Sequence, residues 1–241
     1  MVNHKVFLSR NVLKYVAAIT MIIDHFALSF LVKDTICYTM MRMWIGRIAF
    51  PLFSFLFVEG FFRTKHPWKH IRDLCIFALI SELFFDRTFS HVWFDWSHQN
   101  VMFTWLLGFL MLMLLQYLRK SKTDLGLDNV LFAFSNFCIV FVFCCIAYWL
   151  RVDYSFVGIL SIAVGYFLML YQKNLDYVFI IGAISVIITV CYMTPGVFLS
   201  IPFVYFYDRN KRCAHNNLLK YGFYGFYPAH LFVFFFFRIF M

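Results

Sequence analysis

Long apolar runs alternate with short polar turns from one end of this chain to the other. They cover residues 12–32, 46–62, 71–85, 100–118, 130–150, 154–171, 177–193, a short stretch 196–207, and 223–240. About twenty apolar residues suffice for a helix to cross the hydrocarbon, whereas a barrel strand is about half as long and alternates in polarity. The pattern therefore predicts an all-α fold, a polytopic helical membrane protein with eight or nine transmembrane spans. Stretch 196–207 is short for a span and contains Pro202, so it reads as re-entrant or as a tilted crossing. No repeat, low-complexity tract or long linker divides the 241 residues, which read as one transmembrane domain.

Composition agrees with the pattern. Hydrophobic residues make up 63% of the chain, charged residues 14%, and Phe alone contributes 35 positions. Mean hydropathy is +0.78. A soluble fold of this length has no interior large enough for that much apolar surface. The seven cysteines, Cys213 included, show no C-x-x-C spacing and read as small packing residues. The first run is long, holds a charged pair and lacks a cleavage-like site, so it reads as a retained span rather than a signal peptide.

Charge sets the expected orientation. With the N-terminus inside, the inner segments hold Lys5, Arg10 and Lys14; Arg63, Lys65, Lys69 and Arg72; Arg119, Lys120 and Lys122; Lys173; and Arg209, Lys211, Arg212 and Lys220. That is fifteen of the 21 lysines and arginines, the excess expected on the cytoplasmic side. The net charge of +9 is thus accounted for by loops facing anionic headgroups, and nucleic acid is not an expected partner. A bacterial cytoplasmic (inner) membrane, with the N-terminus cytoplasmic, is the expected location.

Against this apolar background the ionisable residues stand out, because a charge at membrane depth is costly and is kept for partners or for chemistry. Asp24 and His25 sit in the first run. Lys14 precedes His25 by eleven residues, three helical turns and about 20°, so both project from one face about 16 Å apart. Lys14 at the inner rim and His25 deeper in suit a phosphorylated donor entering from the cytoplasm, although Lys14 also fits an ordinary snorkelling flank. The second run carries Arg47 at the depth of Asp24, and an Arg47–Asp24 pair is expected. Glu82 and Asp86, spaced i, i+4, share a helix face. The loop 89–99 holds His91, Asp95 and His98, which would approach one another only if the loop were helical; no fourth ligand accompanies them and no metal is expected. Asn100 stands where a helix N-cap belongs, and His230 follows Tyr227 and Pro228 in the last run.

Several segments together resemble the TraX family. They are Leu13-Lys14 with Ile19-Thr20-Met21-Ile22-Ile23-Asp24-His25, Ile45-Gly46-Arg47-Ile48-Ala49-Phe50-Pro51-Leu52-Phe53 with Val58-Glu59-Gly60, Ala78-Leu79-Ile80-Ser81-Glu82, His98-Gln99-Asn100-Val101-Met102-Phe103-Thr104 with Gly108, and Phe226-Tyr227-Pro228-Ala229-His230. The founding member of that family is associated with N-terminal acetylation of F-type conjugative pilin. The family is also distantly similar to membrane acyltransferases that modify sugars, in which an Arg lies eleven residues before a functional His. Lys14 stands at that Arg position, keeping the charge and losing the bidentate fork. The resemblance implies an acetyltransferase using acetyl-CoA as donor and a peptide N-terminus, glycan or lipid headgroup as acceptor. His25 would be the general base, oriented by Asp24, with Arg47 or a protonated member of the Glu82/Asp86 pair meeting the oxyanion and Asn100 completing the pocket. Lys14, Lys65, Lys69 and Arg72, with Tyr227 and His230, are the candidate donor contacts. Two other readings stand beside it: a proton-coupled transporter or channel with Asp24, His25, Glu82 and Asp86 as an ion relay, and a scaffold subunit without chemistry.

Overall fold

The structure is a computed structural model and describes residues 7–171, 176–209, 211 and 217–240. Lys5, Lys173, Arg212 and Cys213 fall outside the described residues. Nine helical segments are present among those described, at the nine predicted runs: α1 (Arg10–Phe30), α2 (Ile36–Arg63), α3 (Pro67–Phe89), α4 (Val101–Lys120), α5 (Asn129–Trp149), α6 (Ser155–Tyr171), α7 (Tyr177–Tyr192), α8 (Pro195–Tyr205) and α9 (Asn217–Ile239). Polar residues at the boundaries set the starts. Ser9, Thr35, Asn100, Asp128 and Asp176 each accept a backbone N–H of the following first turn, and Pro67 opens α3 where its missing N–H costs nothing.

Four helices, α1, α2, α4 and α5, are long and apolar enough to cross a membrane, while α6, α7 and α8 are apolar but shorter. Helix α2 is central: α1 packs along one side of it, and α6, α7 and α8 pack on the others. Helix α9 lies against α3, and α4 joins α3 to α6. The dry interior between them is built from residues such as Leu13, Leu52, Phe55, Phe109, Leu112, Ile159, Ile162 and Ile180, all 0–1% exposed. Helix α5 is the outermost element. Only Asn136 and Ala147 of its side chains are buried, and Val130, Phe134, Phe137 and Phe141 face outward. A soluble protein rarely shows so large an apolar face, whereas lipid tails solvate it without penalty.

Helix α8 is placed by contacts near both of its ends. Its first residues lie against Met43 and Trp44, where a Cβ on Gly196 would enter the α2 backbone. Just past its end, Tyr207 reaches Glu59 near the other end of α2. The segment therefore runs alongside α2 instead of folding back, and six of its residues, Pro195–Ser200, form a 3₁₀ helix, which rises more per residue than an α-helix.

Candidate functional site

Because α1 and α2 are antiparallel neighbours, the C-terminal half of α1 meets the N-terminal half of α2, and this is where the polar residues gather. Gly46 makes the approach possible. A Cβ there would lie 2.6 Å from Asp24 Cβ and Oδ1 and 2.9 Å from its Cα, so only glycine lets the two backbones come this close. The expected Arg47–Asp24 ion pair is replaced by Arg42, whose Nη1 lies 3.1 Å from Asp24 Oδ2. Arg47 instead donates to the Tyr154 hydroxyl at 3.3 Å and acts on Asp24 only through space. The reason is local. Residues Thr39–Ile45 form a π-helical stretch, and each extra residue in a turn shifts the helix phase ahead of it by about 100°, so a uniform α-helix does not place Arg42.

His25 also has a different partner from the one expected. Asp24, its chain neighbour, points to Arg42, and the ring that orients His25 is His230 of α9. His25 Nδ1 and His230 Nε2 are 2.7 Å apart, with the rings stacked at 5.0 Å and 13°. His230 Nδ1 is 2.9 Å from the Phe226 carbonyl oxygen. A carbonyl only accepts, so that nitrogen carries the proton, and in the neutral ring Nε2 is then a lone pair. His25 Nδ1–H must donate to it, which leaves His25 Nε2 bare and able to take a proton. Pro228, inside α9, lies two residues before His230. Tyr227 and Phe89 close over the His25 ring at 6.1 and 5.4 Å.

The acidic pair of α3 is divided between two partners. Glu82 Oε2 accepts the Asn100 backbone N–H at 3.0 Å and also its side-chain amide. Asn100, fully buried, further donates to the Ala78 carbonyl at 3.0 Å and accepts from Met102 N at 2.9 Å, so one residue is both the α4 cap and the clamp on Glu82. Asp86 Oδ2 accepts the Asp95 backbone N–H at 2.8 Å. The loop around Asp95 is not helical: His91 has φ 63°, and among the described residues no three His, Cys, Asp or Glu side chains converge as a metal site. Hydrogen bonds from Ser90 and Ser97 hold the Asp95 carboxyl down at about 2.

Four charged groups at this end share one feature. Asp24, Arg47, Glu82 and Asp86 each have one arm held as described, while Asp24 Oδ1, Arg47 Nε, Glu82 Oε1 and Asp86 Oδ1 are buried without a hydrogen-bond partner among the described residues. Buried polar atoms left in this way are uncommon and concentrate at functional sites. Beside them opens a cleft of about 1020 Å³ lined by Arg42, Arg47, Trp96, His98, Trp149, Asp153, Tyr154 and Tyr192, among others. Two loops form its walls and are tied together. Gln99 N donates to the Arg151 carbonyl at 3.0 Å, Asp153 N to the Gln99 carbonyl at 2.8 Å, and His98 Nε2 is 3.5 Å from Asp153 Oδ1. That hydrogen bond raises the His98 pKa above its ordinary value.

The remaining candidates lie at the other end of the bundle. Lys14 Nζ sits 5.0 Å over the Phe223 ring, Lys65 and Lys69 flank Trp68 on the surface of the α2–α3 turn, and Arg72 pairs with Asp73 at 2.9 Å. The six candidate donor contacts thus split, His230 and Tyr227 standing with His25 and the four basic residues standing apart. Arg42, Asp153 and Tyr154 were not singled out by sequence. The two loop residues come from the α5–α6 turn, and Tyr154 reaches Arg47 through the packing of α6 on α2.

A family model described as TraX protein matches residues 9–238. The probable fimbrial assembly protein FimC, serogroup H1, of Dichelobacter nodosus is 28% identical over 247 residues, covering 93% of this chain and 96% of that protein. No solved structure matches. The apolar helices and a match spanning nearly every helix lead to one assignment: this membrane protein belongs to the TraX family.

Proposed function

We propose that this protein is an integral membrane acetyltransferase that moves an acetyl group from acetyl-CoA to an amine or hydroxyl acceptor, with His25 as general base. The bare His25 Nε2, held by the His230–Phe226 relay, carries this reading. In the reaction the acceptor nitrogen or oxygen attacks the thioester carbonyl carbon as Nε2 removes its proton. The C–S bond then breaks, and the departing CoA thiolate takes the proton back from the imidazolium. Arg47 has a buried Nε without a hydrogen-bond partner among the described residues, so it can donate to the oxyanion as charge develops there. His230 acts through His25 and is a positioning residue. The relative named for fimbrial assembly makes a pilus or fimbrial subunit a natural acceptor, presented through the aromatic-lined cleft.

In this reading the chain crosses the bacterial inner membrane nine times with a cytoplasmic N-terminus, the short helices included. Donor then comes from the cytoplasm and acceptor from the outer face. The relay alternative has less support: Asp24, His25, Glu82 and Asp86 all belong to one end of the bundle, and a conducting chain of ionisable groups would have to continue through it.

The test is labelled acetyl-CoA with the detergent-purified protein, wild type beside His25→Ala, in the presence of a free-amine peptide. Binding by both, with CoA release from wild type alone, is the expected result. A folded wild type that binds no acetyl-CoA overturns the proposal.

A further inference from the structure

At the end of the bundle where α1 begins, three arginines surround one carboxylate. Glu59, near the end of α2, is 2% exposed. Arg63 Nη2 lies 2.6 Å from its Oε1, Arg10 Nε 3.6 Å from Oε2, and Arg209 Nε 3.8 Å from Oε1. The Tyr207 hydroxyl is 2.9 and 3.0 Å from the two oxygens. Arg63 and Tyr207 therefore satisfy the carboxylate directly, while Arg10 and Arg209 stand beyond hydrogen-bond range of it. Their other contacts are to neutral groups: Arg10 Nη2 to the Leu56 carbonyl at 2.9 Å, and Arg209 Nη1 to the Tyr177 hydroxyl at 3.0 Å. Arg10 Nε is buried with no hydrogen-bond partner among the described residues.

The charge does not balance. All twelve acidic residues of the chain lie among the described residues, and of these Glu59 alone comes within 4 Å of Arg10, Arg63 or Arg209. Three guanidiniums gathered around one carboxylate leave two positive charges close together at the membrane edge. A buried carboxylate needs one good counter-charge, not three. The surplus is what a ligand with several anionic oxygens would meet, and the planar N–H forks of arginine match phosphate oxygens.

We infer that the Arg10–Arg63–Arg209 cage is a binding site for a phosphate-bearing anion, with Glu59 and Tyr207 as the scaffold that holds the guanidiniums together. Two sources present this chemistry at a membrane face: the nucleotide end of a CoA thioester and the headgroup of an anionic phospholipid. The CoA source rests on the acetyl-transfer reading and would lay the donor along α1, since Arg10 and His25 are fifteen residues, about 22 Å, apart. The lipid source does not depend on it.

The experiment uses full-length protein in detergent, titrated calorimetrically with inorganic pyrophosphate and with CoA. The same protein is melted in nanodiscs of phosphatidylcholine with and without phosphatidylglycerol. Arg63→Gln and Arg209→Gln each remove one charge from the solvent-facing rim. Wild type is expected to bind pyrophosphate, and each variant to bind it about tenfold more weakly or worse. If CoA is the ligand, it displaces pyrophosphate and weakens in parallel in the variants. If the lipid is, phosphatidylglycerol raises the melting temperature of wild type only, and CoA binding is the same in all three proteins. The site is refuted if wild type binds none of the three, or if both variants melt like wild type and bind all three unchanged. Pyrophosphate binding at the cage by a protein that never releases CoA would sink the acetyl-transfer reading and leave the site standing.

Discussion

Asn100 is the residue at which cap and clamp can be separated. Its side chain accepts from Met102 N to cap α4 and donates to Glu82 and to the Ala78 carbonyl. Asn100→Ala loses the cap, about 1 kcal/mol. It also removes a buried hydrogen bond to a charged group, a further ~1.5–3 kcal/mol. The expected loss is therefore about 2.5–4 kcal/mol, or roughly 5–16 °C in apparent melting temperature for a chain of this size. Asn100→Asp restores the cap but points an oxygen where the amide stood. Two carboxylates about 3 Å apart repel by roughly 5–6 kcal/mol at an effective dielectric of 20, or one of them takes up a proton at a cost. Aspartate, an excellent N-cap in isolation, should thus be worse here than alanine. Both variants are heated in detergent at pH 8 and the surviving monodisperse fraction is read by fluorescence-detected gel filtration. If Asn100→Asp is as stable as wild type, or clearly more stable than Asn100→Ala, the clamp on Glu82 is not what this residue contributes.

Other consequences follow from the same geometry. His230→Phe keeps the ring stack but removes the acceptor for His25 Nδ1–H; acetyl transfer should fall about 100-fold or more while acetyl-CoA binding persists, and unchanged turnover would remove His230 from the mechanism. Gly46→Ala should cost about 1–3 kcal/mol by driving α2 off Asp24. Gly182→Ala, where a Cβ meets nothing within 4 Å, should be neutral or slightly stabilising; equal melting of the two variants would deny the close approach. The His98–Asp153 contact should tie the cleft loops together below His98's ordinary value of 6.5 and release them as pH rises through its raised value. Hydrogen exchange in residues 90–100 should accelerate over that interval beyond the intrinsic pH effect, and His98→Gln should abolish the excess.

How far the chain could be read without coordinates depends on the range of the interaction concerned. Apolar runs and their polar boundaries are local, so nine segments, the capping role of Asn100 and the isolation of Asp24, His25, Glu82 and His230 in apolar surroundings were all legible. Helical phase carried Lys14 and His25 onto one face for the same reason. Partner choice was not legible. A π-helical stretch changed the phase ahead of Arg47 and delivered Arg42 to Asp24. His230 displaced Asp24 as the partner of His25 because α9 packs back toward α1 across 205 positions. Asp153 and Tyr154 joined the site through a bridge between two distant loops. That this is a helical membrane protein, and which residues are too costly to bury without a purpose, can be read from the chain alone, since both follow from transfer free energies taken residue by residue. Which of those residues meet depends on packing, because hydrogen bonds and ion pairs form over about 3–4 Å and distant segments reach that distance only in the folded bundle.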